Sequence, residues 1–203
     1  MKSHVKRRTD PERAQSRRNQ VLQAAAVCFA RSGFHGASMS EISKQAGMSA
    51  GHIYNYFDSK DAIIMAIVER ESDYITGLLV DLQTRDDPLQ AMIDDARRHI
   101  DESLDPQPWH VPLEMYAEAS RNPVIAAKLR EHEDNSRSRL RLLVKEGRER
   151  RNLPVDDRLL DGRVDTMISY FQGLHIRALN RPDLNRDGLA EAFRVAMTAL
   201  LMT

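Results

Sequence analysis

Apolar residues recur at intervals of three and four along nearly the whole chain, the spacing that lines one face of an α-helix. Val21, Leu22, Ala25, Ala26 and Phe29 form the first such stripe, and Gly33 follows where a C-terminal cap belongs. Ser38 and Glu41 fit the S-x-x-E capping box, so a short second helix opens at Ser38 and stops at Gly47. Ser49 caps a third helix over residues 50–56, and Ser59 or Asp58 caps a fourth that carries Ile63, Ile64, Ile67 and Val68 inward. Farther on, "DDP" (86–88), "DPQP" (105–108), "RNP" (121–123), "NLP" (152–154) and "NRPD" (180–183) each place a proline where a helix must break or begin. The intervals between them supply helices five to nine. No convincing run alternates with period two, and no repeat or low-complexity tract is present, so the pattern predicts an all-α fold of about nine helices.

Length and composition narrow the class. The 203 residues allow one domain or two small ones with ample chain to bury a core. Hydrophobic residues at 41% and charged residues at 30% describe a soluble globular protein, and no apolar run approaches the length that spans a bilayer. The basic opening "MKSHVKRRTDPER" is followed by no apolar segment with a cleavage site, so a cytoplasmic location is expected. The single cysteine, Cys28, excludes an intramolecular disulfide and reads as a small core residue. No Cys or His spacing suits a metal, and nothing calls for a cofactor.

The net charge of zero conceals a polarity. Residues 1–60 hold ten Lys/Arg against four Asp/Glu, which leaves twenty against twenty-six for residues 61–203. A basic N-terminal third suits a surface that meets phosphates, although solvated helix faces would give the same count. Within it, "SEISKQAGMSAGHIYNYFDSK" (40–60) sets two short helices about a turn at Gly47, the arrangement of a helix-turn-helix whose second helix enters a major groove. Ile53 and Phe57 should face the first helix, leaving Ala50, Gly51, His52, Asn55 and Tyr56 toward solvent or DNA. Small residues at 50 and 51 permit close backbone approach. Asn55 suits adenine, His52 and Tyr56 suit bases or phosphates, and Tyr54 and Lys60 suit phosphate anchoring. Lys6, Arg7 and Arg8 form a basic arm ahead of the first helix.

From Arg17 to Ala66, and above all in "GASMSEISKQAGMSAGHIYNYFDSKDAI", the chain resembles the DNA-binding domain of the TetR family of transcriptional regulators. The resemblance rests on the glycine after the first helix, Ser38 opening the second, the turn Gly47-Met48-Ser49, Tyr54, Phe57 and Lys60. It implies a reading head in residues 1–62, with Ser38, Ala50, Gly51, His52, Tyr54, Asn55, Tyr56 and Lys60 toward DNA. It also implies a helical effector-binding and dimerisation domain in residues 63–203. The expected protein is a homodimeric repressor, released from a palindromic operator by a small apolar or aromatic effector.

The C-terminal stripes fit that expectation. Leu160, Val164, Met167, Phe171, Leu174 and Ala178 share one face of a helix over about 157–180, and Leu189, Phe193, Ala196 and Leu200 share a face of the next. In the family the last two long helices pair across a two-fold axis, which casts Phe171, Gly173, Leu174 and Phe193 as interface residues. The same stripes would equally fill a monomer core. Trp109, His110, Glu114, Met115, Tyr116, His132, Tyr170 and His175 are the candidates for a ligand pocket, being aromatic walls with a few polar groups. Each also makes an ordinary core or surface residue, and Glu114 and Glu118 read equally as solvated carboxylates. The basic run "NSRSRLRLLVKEGRERR" reads as an exposed ion-pair face with Glu146 and Glu149. An enzyme is disfavoured because no nucleophile elbow, Cys-His signature or phosphate loop appears. A dimeric adaptor without DNA affinity is disfavoured by Tyr54, Asn55, Lys60 and the basic arm.

Overall fold

The computed structural model describes residues 11–105 and 110–203. Ten helices and no strand occur among them: α1 (Pro11–Gly36), α2 (Met39–Ala46), α3 (Ala50–Ile53), α4 (Lys60–Gln83), α5 (Pro88–Asp94), α6 (Ala96–Ser103), α7 (His110–Ala119), α8 (Pro123–Arg150), α9 (Asp157–Asn180) and α10 (Arg186–Met202). The tenth arises because the expected fifth helix divides at Asp95, whose ψ of −2° departs from helical geometry. Leu89, Met92, Ile93, Ala96 and Ile100 keep their helical spacing across the break and are all buried. The apolar pattern therefore carries no sign of it.

The chain divides into two compact units. One takes the described residues up to Glu69 together with Val111–Ile125, and the other takes the rest. The sequence boundary at 62/63 falls inside α4, and α7, expected in the larger domain, is part of the first unit. Its packing face explains this placement. Val111, Met115 and Glu118, spaced along one side of the helix, are all buried.

The first unit buries Leu22, Phe29, Phe34, Ile42, Ile53, Phe57, Ile63 and Ile67, with Phe29 and Phe34 meeting edge to face at 4.7 Å. Cys28 lies in this core. The second unit has its own core, in which α10 packs on α5, α6 and α9. Gly147 of α8 is required there, since a Cβ at that position would stand 2.6 Å from Leu89 Cγ.

Two expectations change in this unit. Leu174 and Phe193 are buried in the unit's own core, and Phe171 packs against it with its ring edge-on to His99 at 4.5 Å, so these three side chains are turned inward. An apolar stripe reports burial and does not name the burying partner. The basic run on α8 finds its principal partners on α9: Arg137 bonds Asp165 at 2.6 and 3.0 Å, and Arg141 bonds Asp161 and Asp157 at 2.7 and 2.6 Å. Glu146 and Glu149 pair only loosely, with Arg150 and Lys145. Arg148 is buried and donates to the carbonyls of Pro154 and Leu201.

Candidate nucleic-acid interface

The reading head is built from its caps. Ser38 and Glu41 form the full capping box: Ser38 Oγ accepts the Glu41 N–H at 3.2 Å, and Glu41 Oε2 accepts the Ser38 N–H at 2.8 Å. Gly47 ends α2 in the left-handed region at φ 63°, where a side chain would be strained. Ser49 then caps α3 by accepting the His52 N–H at 3.2 Å. Gln20 of α1 reaches the freed end of α2, donating to the Ala46 carbonyl at 2.8 Å. Gln20 carried no recognisable signal in the sequence, because a polar residue on a helix could as well face water.

The α-helix of α3 is shorter than residues 50–56. After Ile53 the chain tightens through i→i+3 bonds, Asn55 N–H to His52 O at 3.3 Å and Tyr56 N–H to Ile53 O at 2.9 Å. Ile53 and Phe57 are buried, and Arg18 lies over the Phe57 ring at 5.0 Å. Gly51, His52, Tyr54 and Asn55 are exposed, while Ala50, Tyr56 and Lys60 are half-buried. Tyr54 keeps 49% of its surface in contact with solvent. The turn thus offers a donor-rich, small-backboned surface around Gly51, as base and phosphate contacts require.

Ser38 and Lys60 have prior engagements. The Ser38 hydroxyl lies 3.1 Å from Glu41 Oε2 and donates to it, so its proton serves the cap. Lys60 Nζ donates to the Ala37 carbonyl at 3.0 Å and sits 3.5 Å from that of His35, which places the ammonium against the turn between α1 and α2. An ammonium has three donors, so one remains for a phosphate. Ser59 is the cap of α4, accepting the Ala62 N–H at 3.0 Å.

That turn is held from α7. Gly33 takes φ 69° and ψ 169°, and a Cβ there would stand 3.2 Å from Glu114 Oε2. The same carboxylate accepts the Phe34 N–H at 3.3 Å. One turn along, buried Glu118 lies 2.9 Å from His35 Nε2 and 3.0 Å from Arg121, with Asn122 donating at 3.3 Å. Burial pushes the Glu118 carboxyl up, but the Asn122 bond and the charges of His35 and Arg121 outweigh it and hold it below the usual range. The pair of glutamates is therefore a clamp on the turn, in place of a solvated pair or a pocket wall. In the sequence only the glycine at position 33 bears on this clamp, and there it reads as a helix cap.

The remaining pocket candidates separate. Trp109, the side chain of His110 and the arm residues Lys6, Arg7 and Arg8 lie outside the described residues. Met115 is buried in the first unit and Tyr116 is exposed there. In the second unit Tyr170 points outward at 43% exposure, whereas His175 is half-buried; five residues apart, they stand about 140° apart around α9. The His132 Nε2 is buried and has no hydrogen-bond partner among the described residues. No group of three His, Cys, Asp or Glu side chains among the described residues could hold a metal ion, and no described helix is long and apolar enough to cross a membrane.

Comparison with known proteins agrees with this geometry. Residues 21–67 match the family model of bacterial regulatory proteins of the tetR family. The transcriptional regulator UidR of Escherichia coli is 42% identical over 60 residues, 30% of this chain and 31% of that protein. The chain thus spans about a third of the length of such curated relatives. The transcriptional repressor AcnR of Corynebacterium glutamicum is 26% identical over 159 residues, covering 76% of this chain and 79% of its own. The structure of Salmonella enterica GusR superposes with a TM-score of 0.73 at 25% identity, covering 98% of this chain and all of that one (100%). A capped helix-turn-helix inside a matching family model, on a fold shared along the whole chain, points one way: residues 21–67 form a DNA-binding domain of the tetR family type, and the relatives it matches are transcriptional regulators rather than enzymes.

Proposed function

We propose that the protein is a homodimeric repressor that binds a near-palindromic operator through α3 and is released by a small apolar or aromatic effector. The observation that carries the reading is the exposed surface of His52, Tyr54 and Asn55 on a turn anchored by buried Ile53 and Phe57. The likeness to a repressor along three quarters of the chain supports the direction of control.

Dimerisation is assigned to the outer side of α9 and α10. Leu159, Tyr170 and Val195 are exposed at 54%, 43% and 58%, and Gly162 and Gly173 face open space in which a Cβ would meet nothing within 4 Å. Large apolar side chains left in water beside small residues suit close helix approach by a second copy. Gly173 stays in the interface, and Phe171, Leu174 and Phe193 support it from within. For the effector, His132 is the leading polar anchor, since a buried ring nitrogen without a partner is costly and a ligand donor or acceptor would satisfy it. The clamp of Glu114 and Glu118 on the turn that holds Lys60 gives α7 a mechanical route to the reading head. An effector acts through this route only by binding more tightly to the state in which the head is misplaced.

The test is selection of fragments from the host genome by purified protein, followed by footprinting. The expected product is a near-palindrome with half-sites about one helical turn apart or slightly more, and Asn55→Ala should relax its base preference. Recovery of unrelated fragments with no shared motif would overturn the proposal.

A further inference from the structure

His52 and Tyr56 stand one turn apart on the exposed side of the reading head, and they touch. The Tyr56 hydroxyl is 3.3 Å from His52 Nε2, and the two rings lie 5.5 Å apart at 34° to each other. Both residues have fixed backbones. The His52 N–H is bonded to the Ser49 cap, and the Tyr56 N–H is bonded to Ile53, itself fully buried. A phenol is a better hydrogen-bond donor than an imidazole N–H, and an imidazole nitrogen is a better acceptor than a phenol oxygen. The proton of the contact therefore belongs to Tyr56, and His52 Nε2 accepts it.

One consequence follows for the other ring nitrogen. A neutral imidazole carries a single N–H, so accepting at Nε2 puts the proton on Nδ1. An imidazole left to itself in water favours the opposite tautomer. Resting on the proposed DNA-binding role, we infer that Tyr56 is a positioning residue: its hydroxyl fixes His52 as an Nδ1–H donor, and the pair reads one base edge as a unit. In the major groove guanine sets N7 beside O6, two acceptors between which a single N–H can be shared, whereas adenine N7 lies beside the N6 amino donor and thymine offers O4 alone. The pair is accordingly assigned to guanine.

Two measurements test the inference. Nitrogen-15 spectra of the imidazole in the free protein should show an unprotonated Nε2 and a protonated Nδ1 at His52, and Tyr56→Phe should return the ring to the Nε2–H form. In binding-site selection, His52→Ala should erase a guanine preference at one base pair of each half-site. Tyr56→Phe, which keeps the ring, should cut discrimination at that same base pair about fivefold, as loss of one neutral hydrogen bond does, and should add nothing to His52→Ala. The inference is overturned if the tautomer ignores Tyr56→Phe, if that variant alters a different base pair, or if it weakens all sequences equally. Selection of no sequence by the wild type would instead sink the DNA-binding role, and the spectra, which need no DNA, would still decide whether Tyr56 sets His52.

Discussion

Lys60 Nζ lies 3.0 Å from the carbonyl oxygen of Ala37, so the cation expected to meet a phosphate is also a strut beneath the turn that joins α1 to α2. Lys60→Ala should therefore weaken binding to every DNA sequence and lower the salt slope by about one unit per subunit. Base preference should be unchanged. Titrations by fluorescence anisotropy at several salt concentrations check both statements.

The Glu118 clamp should matter to DNA binding although it contacts no DNA. Glu118→Ala removes the acceptor for His35, Arg121 and Asn122; His35 and Arg121 are well exposed and rehydrate, so the stability cost should be about 1–2 kcal/mol. Affinity should fall for all sequences alike. Affinity equal to that of the wild type would show that Glu118 does not hold the turn.

Acid should unfold the second unit through two histidines. Burial, with the charges of His175 and Arg98 adding to it, pushes His99 down to about 4, and burial brings His175 to about 4 although its hydrogen bond with the Ser103 backbone acts in the opposite direction. Folded values below the ordinary 6.5 mean that the unfolded chain binds protons first as pH falls. Stability should thus be full above pH 6.5 and decline toward pH 4, by on the order of 2–3 kcal/mol for His99. Denaturant midpoints across that window, with His99→Phe as the comparison, check it: the variant should lose much of the slope.

Neighbouring substitutions on α9 should separate the core from the dimer face. Phe171→Glu places a charge among His99 and Phe193 and should unfold the unit, at a cost of several kcal/mol. Tyr170→Glu should leave a folded chain that sediments as a monomer. A dimer that survives Tyr170→Glu would put the interface elsewhere.

The contrast between these two residues marks how far the sequence could be read. Local chemistry was legible: Ser38, Glu41, Gly47 and Ser49 announce their caps because each cap demands a particular residue type, and they place the reading head. The buried positions Ile53 and Phe57 follow from helical spacing alone. Long-range partnership was not legible. The stripe through Phe171 and Leu174 has the same spacing whether a second copy or α10 covers it. Likewise a glutamate such as Glu118, on a helix far along the chain, gives no sign that it ends beside His35. The break at Asp95 was hidden because the apolar register continues through it.

The central claim, a dimer that reads DNA through α3, is tested most directly by the mass of the complex formed with the selected duplex, measured by sedimentation beside a half-site duplex and a scrambled one. The account predicts two chains on the full site, with affinity collapsing on the half-site and the scrambled sequence. One chain per duplex, or equal affinity for all three, would contradict it.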